Sequence, residues 1–165
     1  MILRVRQNPD PVLRQLAQAV PISDLPSPWL DQLIAKMSAT LSASPDGVAL
    51  AAPQIGEAWR VFIVGRRAFP ERDLTQSWSH DLVFVNPIIT RRSRRQIECT
   101  EGCLSVKDYY GVTRRYERVS VAAFDATGKK LIHHASGLMA QVFQHEIEHL
   151  DGVLFIDHAR NVVHG

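Results

Sequence analysis

The sequence predicts an α+β fold in which mixed or antiparallel β-sheets pack around a central helix that carries a His-Glu-x-x-His motif. One helical pattern lies in residues 27–41, and a second lies near residues 136–152. Between them the chain consists of short runs rich in Val, Ile and Phe, separated by Gly, Pro and Asn. Such runs are typical of strands, and strands grouped between two helices are typical of an α+β domain.

The first helix is predicted from its start signal and its apolar spacing. Ser27 suits the N-cap position, and Pro28 suits the first helical position, where the missing N–H costs nothing. Apolar residues then recur at helical spacing, at Leu30, Leu33, Ile34, Met37 and Leu41. We therefore expect a helix with one apolar face.

Five runs in the middle of the chain predict strands. They are "VALAA", "RVFIVG", "LVFVNP", "RVSVAAF" and "KKLIHH". The segment "DATGKK", whose last two residues begin the final run, predicts a hairpin turn. The adjacent residues His133 and His134 face opposite ways on a strand, so we expect at least one of them to be exposed.

The second helix, expected from Ser136 to Gly152, carries the candidate metal motif. Residues four apart lie on one helix face, so His145 and His149 can bind one metal ion with Glu146 beside it. Imidazole binds zinc or ferrous iron, and a carboxylate beside a metal-bound water can accept its proton. Apolar residues surround the motif, at Leu138, Met139, Val142, Phe143, Ile147, Leu150 and Leu154. Because burying these polar groups without partners is costly, the pattern favours a functional site over a solvated surface helix.

Composition excludes several classes of function. The chain has 165 residues, with 19 Lys+Arg, 17 Asp+Glu and a formal net charge of +2. This near-balance of charge gives no overall electrostatic reason to expect binding to a specific nucleic acid or to a membrane. We expect one domain over residues 1–165. Two cysteines without a signal-peptide pattern indicate a reducing compartment, and the cytoplasm is the default expectation.

The third metal ligand is not settled by spacing alone. The extended metallopeptidase motif would need a histidine at position 155, which is Phe155, and no glutamate follows His149. The search therefore moves upstream, to Cys99, Cys103, His133, His134 or His80. Cys103 stands out because a glycine precedes it, which suits a backbone held close to a ligand. Cys99 would share its face on a strand, so both cysteines remain candidates.

Three further stretches carry a resemblance to a known family. "GVALAAPQ" begins at Gly47, "EGCLS" begins at Glu101, and "QHEIEH" begins at Gln144. In this order and form they resemble the three motifs of the peptide deformylases. Segments "NPDPVLRQLA", "VFVNP" and "HLDGVLFID" are also similar to that family, so the resemblance covers nearly the whole chain.

The resemblance implies a specific activity and a specific site. The enzyme would remove the formyl group from N-formylmethionyl peptides and release formate. Its metal ligands would be Cys103, His145 and His149, with Glu146 as general acid/base and with Gln54 and the Leu104 N–H facing the oxyanion. Substrate contacts would come from Gly47, Val48, Ala49, Leu50, Glu101, Gly102 and Val142. The metal would be Fe²⁺ in the active form, while the purified protein would also accept Zn²⁺ or Ni²⁺.

Departures from the family pattern keep other functions open. Ala49 replaces a usual glycine, Glu148 a usual aspartate and Lys107 a frequent proline. They leave room for a deformylase-like deacylase of a non-peptide substrate, with a metallopeptidase as a third choice. A closed Cys2His2 site that includes Cys99 would instead make the chain a structural zinc or peptide-binding domain.

Partners beyond the substrate are only weakly indicated. The run "RRSRR" in residues 91–95 is interpreted as a solvated hairpin edge that charge protects from aggregation. The alternative interpretation is an anionic docking patch for a transient contact with the ribosome. The resemblance is compatible with a monomer or a weak dimer.

Overall fold

Two helices flank the strands in this computed structural model, which describes residues 1–68 and 80–165. Helix α1 spans Pro28–Ser42 and α2 spans Gly137–Leu150. Ser27 is the N-cap of α1, and its hydroxyl accepts a hydrogen bond from the Leu30 N–H at 3.2 Å. Both predicted helices are therefore present at the predicted positions.

Eight strands are found in the described part of the chain. They are β1 (Ala49–Ala51), β2 (Val61–Val64), β3 (Leu82–Arg92), β4 (Gln96–Cys103), β5 (Val106–Tyr116), β6 (Arg118–Phe124), β7 (Lys130–Ser136) and β8 (Arg160–His164). All five predicted runs contribute strands. The predicted turn joins β6 to β7, where the Asp125 N–H donates to the Lys129 carbonyl at 2.9 Å. Strands β4, β5 and β8 were not among the predicted runs.

The larger sheet has the strand order β1-β2-β3-β6-β7, with antiparallel neighbours throughout. It lies between the two helices. Phe62 and Val64 of β2 join the core that contains α2, whereas Val61 and Ile63 join the core that contains α1. Burial on both faces explains why β2 is a continuous apolar run and not an alternating one.

The smaller sheet has the antiparallel order β4-β5-β8. The register of β4 against β5 is regular from Gln96 to Gly102 and then shifts at Cys103, which pairs with Val106. Such a bulge bends the strand and re-aims the side chains that follow it. The smaller sheet thus ends in an irregular tip beside α2.

The segment after α2 turns sharply back onto the N-terminal residues. Gly152 has a φ of 75°, and a Cβ there would lie only 2.6 Å from the Arg14 carbonyl oxygen. The Ala17 N–H donates to the Leu150 carbonyl at 2.8 Å, which satisfies one free acceptor at the helix end. Glycine is therefore required by both conformation and space.

These elements confirm the α+β class with antiparallel sheets and two helices. The prediction for the adjacent histidines is also confirmed, since His134 is exposed while His133 packs near the rings of Phe84 and Phe143. Among the described residues, no helix has the length and apolar character that a membrane crossing requires.

Candidate active site

Helix α2 carries three polar side chains, His145, Glu146 and His149, into the protein. Gln144 holds the helix against β5, because its amide accepts from the Tyr116 N–H at 2.8 Å and donates to the Tyr116 carbonyl at 2.9 Å. Glu146 is 4% exposed and His149 is 1% exposed. Packing and this amide clamp together fix the motif inside the fold.

The tip of β4 brings Cys103 to the same place. Its Sγ lies 3.2 Å from His149 Nε2. Cys103, His145 and His149 each offer one ligand atom, and these atoms all lie within 4.8 Å of one another. Cys99, four residues earlier on β4, is not part of this group. The closed Cys2His2 site therefore finds no support in the described part of the chain.

The donor set fits a divalent metal ion. His145 directs Nδ1 to the Glu101 carboxylate at 3.0 Å, which leaves its Nε2 for a metal. Burial alone would raise the pKa of the Cys103 thiol, but His149 and His145 outweigh it and bring that pKa well below its ordinary value. The thiolate is the form that binds metals. One thiolate and two imidazoles suit zinc or iron and leave a fourth position for water.

Glu146 lies beside this group without a hydrogen-bond partner for one carboxylate oxygen. Its Oε2 is buried and contacts no donor among the described residues. Burial raises the pKa of the Glu146 carboxyl to about 7. A pKa near the working pH suits a group that first accepts a proton and then donates it.

Gln54 and Leu104 lie on the other side of the thiolate. Gln54 accepts from the Ala51 N–H at 2.9 Å and donates to Ser105 Oγ at 3.1 Å, with Cys103 Sγ 3.6 Å from its Nε2. The Leu104 carbonyl accepts from Gln7 at 2.7 Å. Within residues 1–68 and 80–165, the Leu104 N–H donates to no acceptor. An oriented amide and a free N–H are the donors that an oxyanion needs.

A buried ion network supports His145 from behind. Arg115 donates from Nε to Glu101 Oε1 at 2.6 Å and from Nη2 to Glu101 Oε2 at 2.8 Å. The same guanidinium donates to both Glu148 oxygens, at 2.6 and 2.9 Å, and His158 Nε2 lies 3.1 Å from Glu148 Oε2. Burial would raise the pKa of Glu101, but Arg115 and His145 keep it well below its ordinary value. Glu101 therefore stays ionised and orients His145.

Sequence reasoning missed Arg115 and did not predict that the Glu101 carboxylate supports His145. Glu101 was expected to contact substrate, but its carboxylate is used by Arg115, Thr113 and His145. Arg115 is buried and belongs to none of the motifs. The signal that could have found it is weak, since a lone arginine in a strand is common on protein surfaces.

Replacing Glu101 with glutamine is expected to weaken metal binding by about 10- to 100-fold. The neutral amide orients His145 less firmly, and it removes one of the two negative charges that face Arg115. Glu98→Gln on the same strand is the matched control, since Glu98 is exposed and pairs with Arg160 on the surface. Competition with a chelator measures the affinity. Equal affinities for the two variants would remove Glu101 from the support of the metal site.

A cavity of about 540 Å³ opens in front of the ligand group. Ten of the residues predicted for the site line it: Val48, Ala49, Gln54, Glu101, Gly102, Cys103, Leu104, Val142, His145 and Glu146. Sequence reasoning did not predict that Tyr109, Tyr110 and Gln141 would also line it. Each lies within five residues of a motif, but no residue pattern marked it as part of the site.

Two predicted substrate contacts lie elsewhere. Leu50 is fully buried in the core beside α1, so the prediction that it lines the substrate cavity is wrong. The reason is the two-residue period of β1, which sends Ala49 and Ala51 to one face and Leu50 to the other. Gly47 lines a neighbouring cavity that shares Val48 with the first.

Ala49 lies on β1, which has one neighbouring strand among the described residues. It pairs with Val64 of β2, and β1 is the outer strand of the larger sheet. The positive-φ residues other than glycine in the described chain are Asn86, Asp108 and Asn161. The prediction that Ala49 avoids positive φ is thus confirmed, and its backbone carries none of the strain that such a φ would impose.

An antiparallel α+β scaffold with a Cys-His-His group and a buried carboxylate is typical of a metal-dependent hydrolase. The family model of polypeptide deformylase matches residues 2–164. A peptide deformylase of Dehalococcoides mccartyi is 40% identical over 158 residues, which cover 95% of this chain and 86% of that protein. The chain therefore belongs to the peptide deformylase family, whose enzymes remove the formyl group from N-formylmethionine peptides.

Solved structures agree with this assignment. The crystal structure of a peptide deformylase from Synechococcus elongatus in complex with actinonin has a TM-score of 0.82 and 36% identity, covering 96% of this chain and 79% of that one. A Met-Ala-Ser-bound class I type b peptide deformylase from Acinetobacter baumannii has a TM-score of 0.85 and 35% identity, covering 96% and 98%. The family is metal-dependent, and this chain has a candidate metal site.

Proposed function

We propose that residues 1–165 form one catalytic domain that deformylates N-formylmethionyl peptides, with α2 as the central helix that carries the reacting groups. The observation that carries this proposal is the convergence of Cys103, His145 and His149 beside the unpaired carboxylate of Glu146. The group lies at one end of a cavity large enough for a side chain and a short stretch of backbone.

The metal held by these three ligands is proposed to be Fe²⁺ in the active form, with Zn²⁺ or Ni²⁺ as alternatives in the purified protein. Thiolate and imidazole ligands are compatible with each of these ions. When bound, such an ion polarises a carbonyl and lowers the pKa of a coordinated water to about 7.

The chain's own residues supply proton transfer and charge stabilisation. Glu146 accepts a proton from the attacking water and passes it to the leaving amine, which becomes the free N-terminus of the peptide. The Gln54 amide and the Leu104 N–H donate to the oxygen that becomes negative when the formyl carbon is attacked. Loss of one such donor costs about 2.7–4 kcal/mol in comparable sites.

The substrate is proposed to lie along the edge of β1 that pairs with no strand in residues 1–68 and 80–165. An extended peptide can add to a sheet edge through main-chain hydrogen bonds. Val48, Leu104 and Val142 offer apolar contact to an unbranched methionine-like side chain. We also propose that the protein is located in the cytoplasm and is a monomer or a weak dimer. It would make a transient contact with the ribosome.

The direct test is formate release from a short formyl-Met peptide. The protein is loaded anaerobically with ferrous iron, and the product is identified by mass spectrometry. We expect stoichiometric formate and a peptide that is lighter by the formyl group. Hydrolysis at an internal peptide bond would instead indicate a metallopeptidase.

Side-chain selectivity gives a second measurement. Formyl-Met and formyl-norleucine peptides are expected to have similar kcat/KM values, because the cavity recognises an unbranched apolar side chain and does not require its sulfur atom. If both are far slower than formyl-Gly or a formylated sugar, the chain is a deacylase of a non-peptide substrate, the alternative that its motif departures allow.

Substitution of Ala49 by glycine is expected to change kcat/KM by less than about tenfold, equal to about 1.4 kcal/mol. The reason is that Ala49 avoids positive φ, so its methyl group slightly reduces the volume of the cavity without straining the backbone. Wild type and variant must carry equal amounts of metal. A gain of several orders of magnitude on formyl-Met peptide would mean that the natural chain acts on another substrate.

A further inference from the structure

Leu104 and Ser105 form the tight turn that joins β4 to β5, beside the ligand group. The Ser105 N–H points inward and donates to Cys103 Sγ at 3.4 Å, and the Ser105 hydroxyl accepts from Gln54 at 3.1 Å. Ser105 is fully buried. The backbone of this turn therefore decides which group faces the Cys103 thiolate.

One peptide unit of the turn sets that orientation. The bond between Leu104 and Ser105 is trans, so the Leu104 carbonyl and the Ser105 N–H point to opposite sides. Turns of types I and II differ by a flip of this middle peptide. A flip here would turn the N–H away and place the carbonyl oxygen, which repels an anion, against the Cys103 thiolate. A partner that holds the Leu104 carbonyl outward thus also holds the N–H on the sulfur.

The Gln7 side chain is that partner. Its Nε2 donates to the Leu104 carbonyl at 2.7 Å, although 97 residues separate the two in the chain. The same amide also donates to the Val5 carbonyl and accepts from the Lys107 N–H, both at 3.4 Å. These partners fix which end of the amide is nitrogen, since carbonyls accept and an N–H donates. The shortest of the three bonds is the one to the turn.

Backbone bonds hold Gln7 in front of the turn. The Arg6 N–H donates to the Gln54 carbonyl and the Asn8 N–H donates to the Ser105 carbonyl, both at 2.8 Å. Residues 6–8, which we call the N-terminal strap, thus tie together the two segments that carry the groups facing the thiolate. Since these bonds come from the backbone, a change of the Gln7 side chain leaves the strap attached.

We propose that Gln7 is a positioning residue of the metal centre. By holding the Leu104 carbonyl, it keeps the Ser105 N–H on the Cys103 thiolate. A hydrogen bond to a metal-bound thiolate withdraws electron density from the sulfur, so the metal attracts electrons more strongly from its other ligands. Such tuning suits a site that must activate water. The inference deepens the proposed function and rests on it for the metal.

The test compares cobalt-loaded proteins by absorption spectroscopy. Co²⁺ is bound by thiolate and imidazole ligands, and its thiolate-to-metal charge-transfer band reports the electron density on the sulfur. Gln7→Met removes every hydrogen bond of the amide. Gln7→Glu keeps the shape and the acceptor for the Lys107 N–H but offers no donor to the Leu104 carbonyl. Gln32→Glu, at an exposed position of α1, is the charge-matched control.

Both Gln7 variants are expected to move the charge-transfer band to longer wavelength, because the sulfur loses its hydrogen bond. Competition with a chelator is expected to show roughly tenfold weaker metal binding, a usual cost of losing a group that supports a ligand. Formate release by the ferrous proteins is expected to fall by a similar factor in kcat, with KM little changed. The control is expected to match the wild type in all three measurements.

Thermal unfolding of the same samples distinguishes positioning from a purely structural link. A lower melting temperature with an unchanged band and unchanged metal affinity would overturn the inference. So would a shifted band in Gln7→Met alone, because the Lys107 contact would then carry the effect. If the variants show the expected spectral shift but the wild type releases no formate, the proposed deformylation fails and the role of Gln7 stands.

Discussion

Replacing Cys103 with alanine is expected to abolish both metal binding and deformylation. Cys103 supplies the thiolate of the three-ligand group, and two imidazoles alone hold a divalent ion far more weakly. Metal content after dialysis, together with formate release, measures the two losses. Cys99→Ala is the matched control, because Cys99 lies four residues earlier on the same strand and outside the ligand group.

The control variant is expected to keep its metal and its activity and to lose at most some packing stability. Equal loss of metal from the Cys99 and Cys103 variants would contradict the open site. The four-ligand structural zinc site would then replace it, and the catalytic proposal would fail with it.

Replacing Glu146 with glutamine is expected to lower turnover by about two to four orders of magnitude while metal binding persists. The glutamine side chain has nearly the same shape but cannot accept the proton from the attacking water. Its effect should therefore fall on kcat, with little change in metal content. Steady-state kinetics and metal analysis on the same sample separate these two quantities.

Glu148→Gln is the comparison for this variant, since Glu148 lies two residues away on α2 but binds Arg115 and is not part of the ligand group. We expect a smaller effect on kcat from this change. Full activity of the metal-replete Glu146 variant would exclude Glu146 as the proton carrier. Loss of metal from that variant would make Glu146 a ligand.

Much of the fold could be predicted from the sequence because its signals are local. Ser27 and Pro28 mark the start of α1, and continuous apolar runs mark the strands of the larger sheet. Strands β4 and β5 were missed because they are rich in charged and polar residues, and most of their side chains are not buried. Their pairing is stabilised by long-range contacts, which a window of sequence does not contain.

The ligand group is predictable for a different reason. His145 and His149 are related by helix geometry, and the family motif adds Cys103. The buried support of the group is not predictable in this way. Arg115 reaches Glu101 and Glu148 only because β4, β5 and α2 meet in space, and the β4 bulge at Cys103 separates the roles of two cysteines that spacing makes equivalent.

The network behind His145 also sets the charge balance of the buried centre. Arg115 has one positive charge, but it lies between two carboxylates, so Glu101, Glu148 and Arg115 together carry a net charge of minus one. The Cys103 thiolate adds a second negative charge. A divalent cation therefore offsets the charge of these four groups, and the buried Glu146 carboxylate beside it adds one further negative charge whenever it is ionised. Negative charge, in addition to ligand geometry, thus favours a cation at this site.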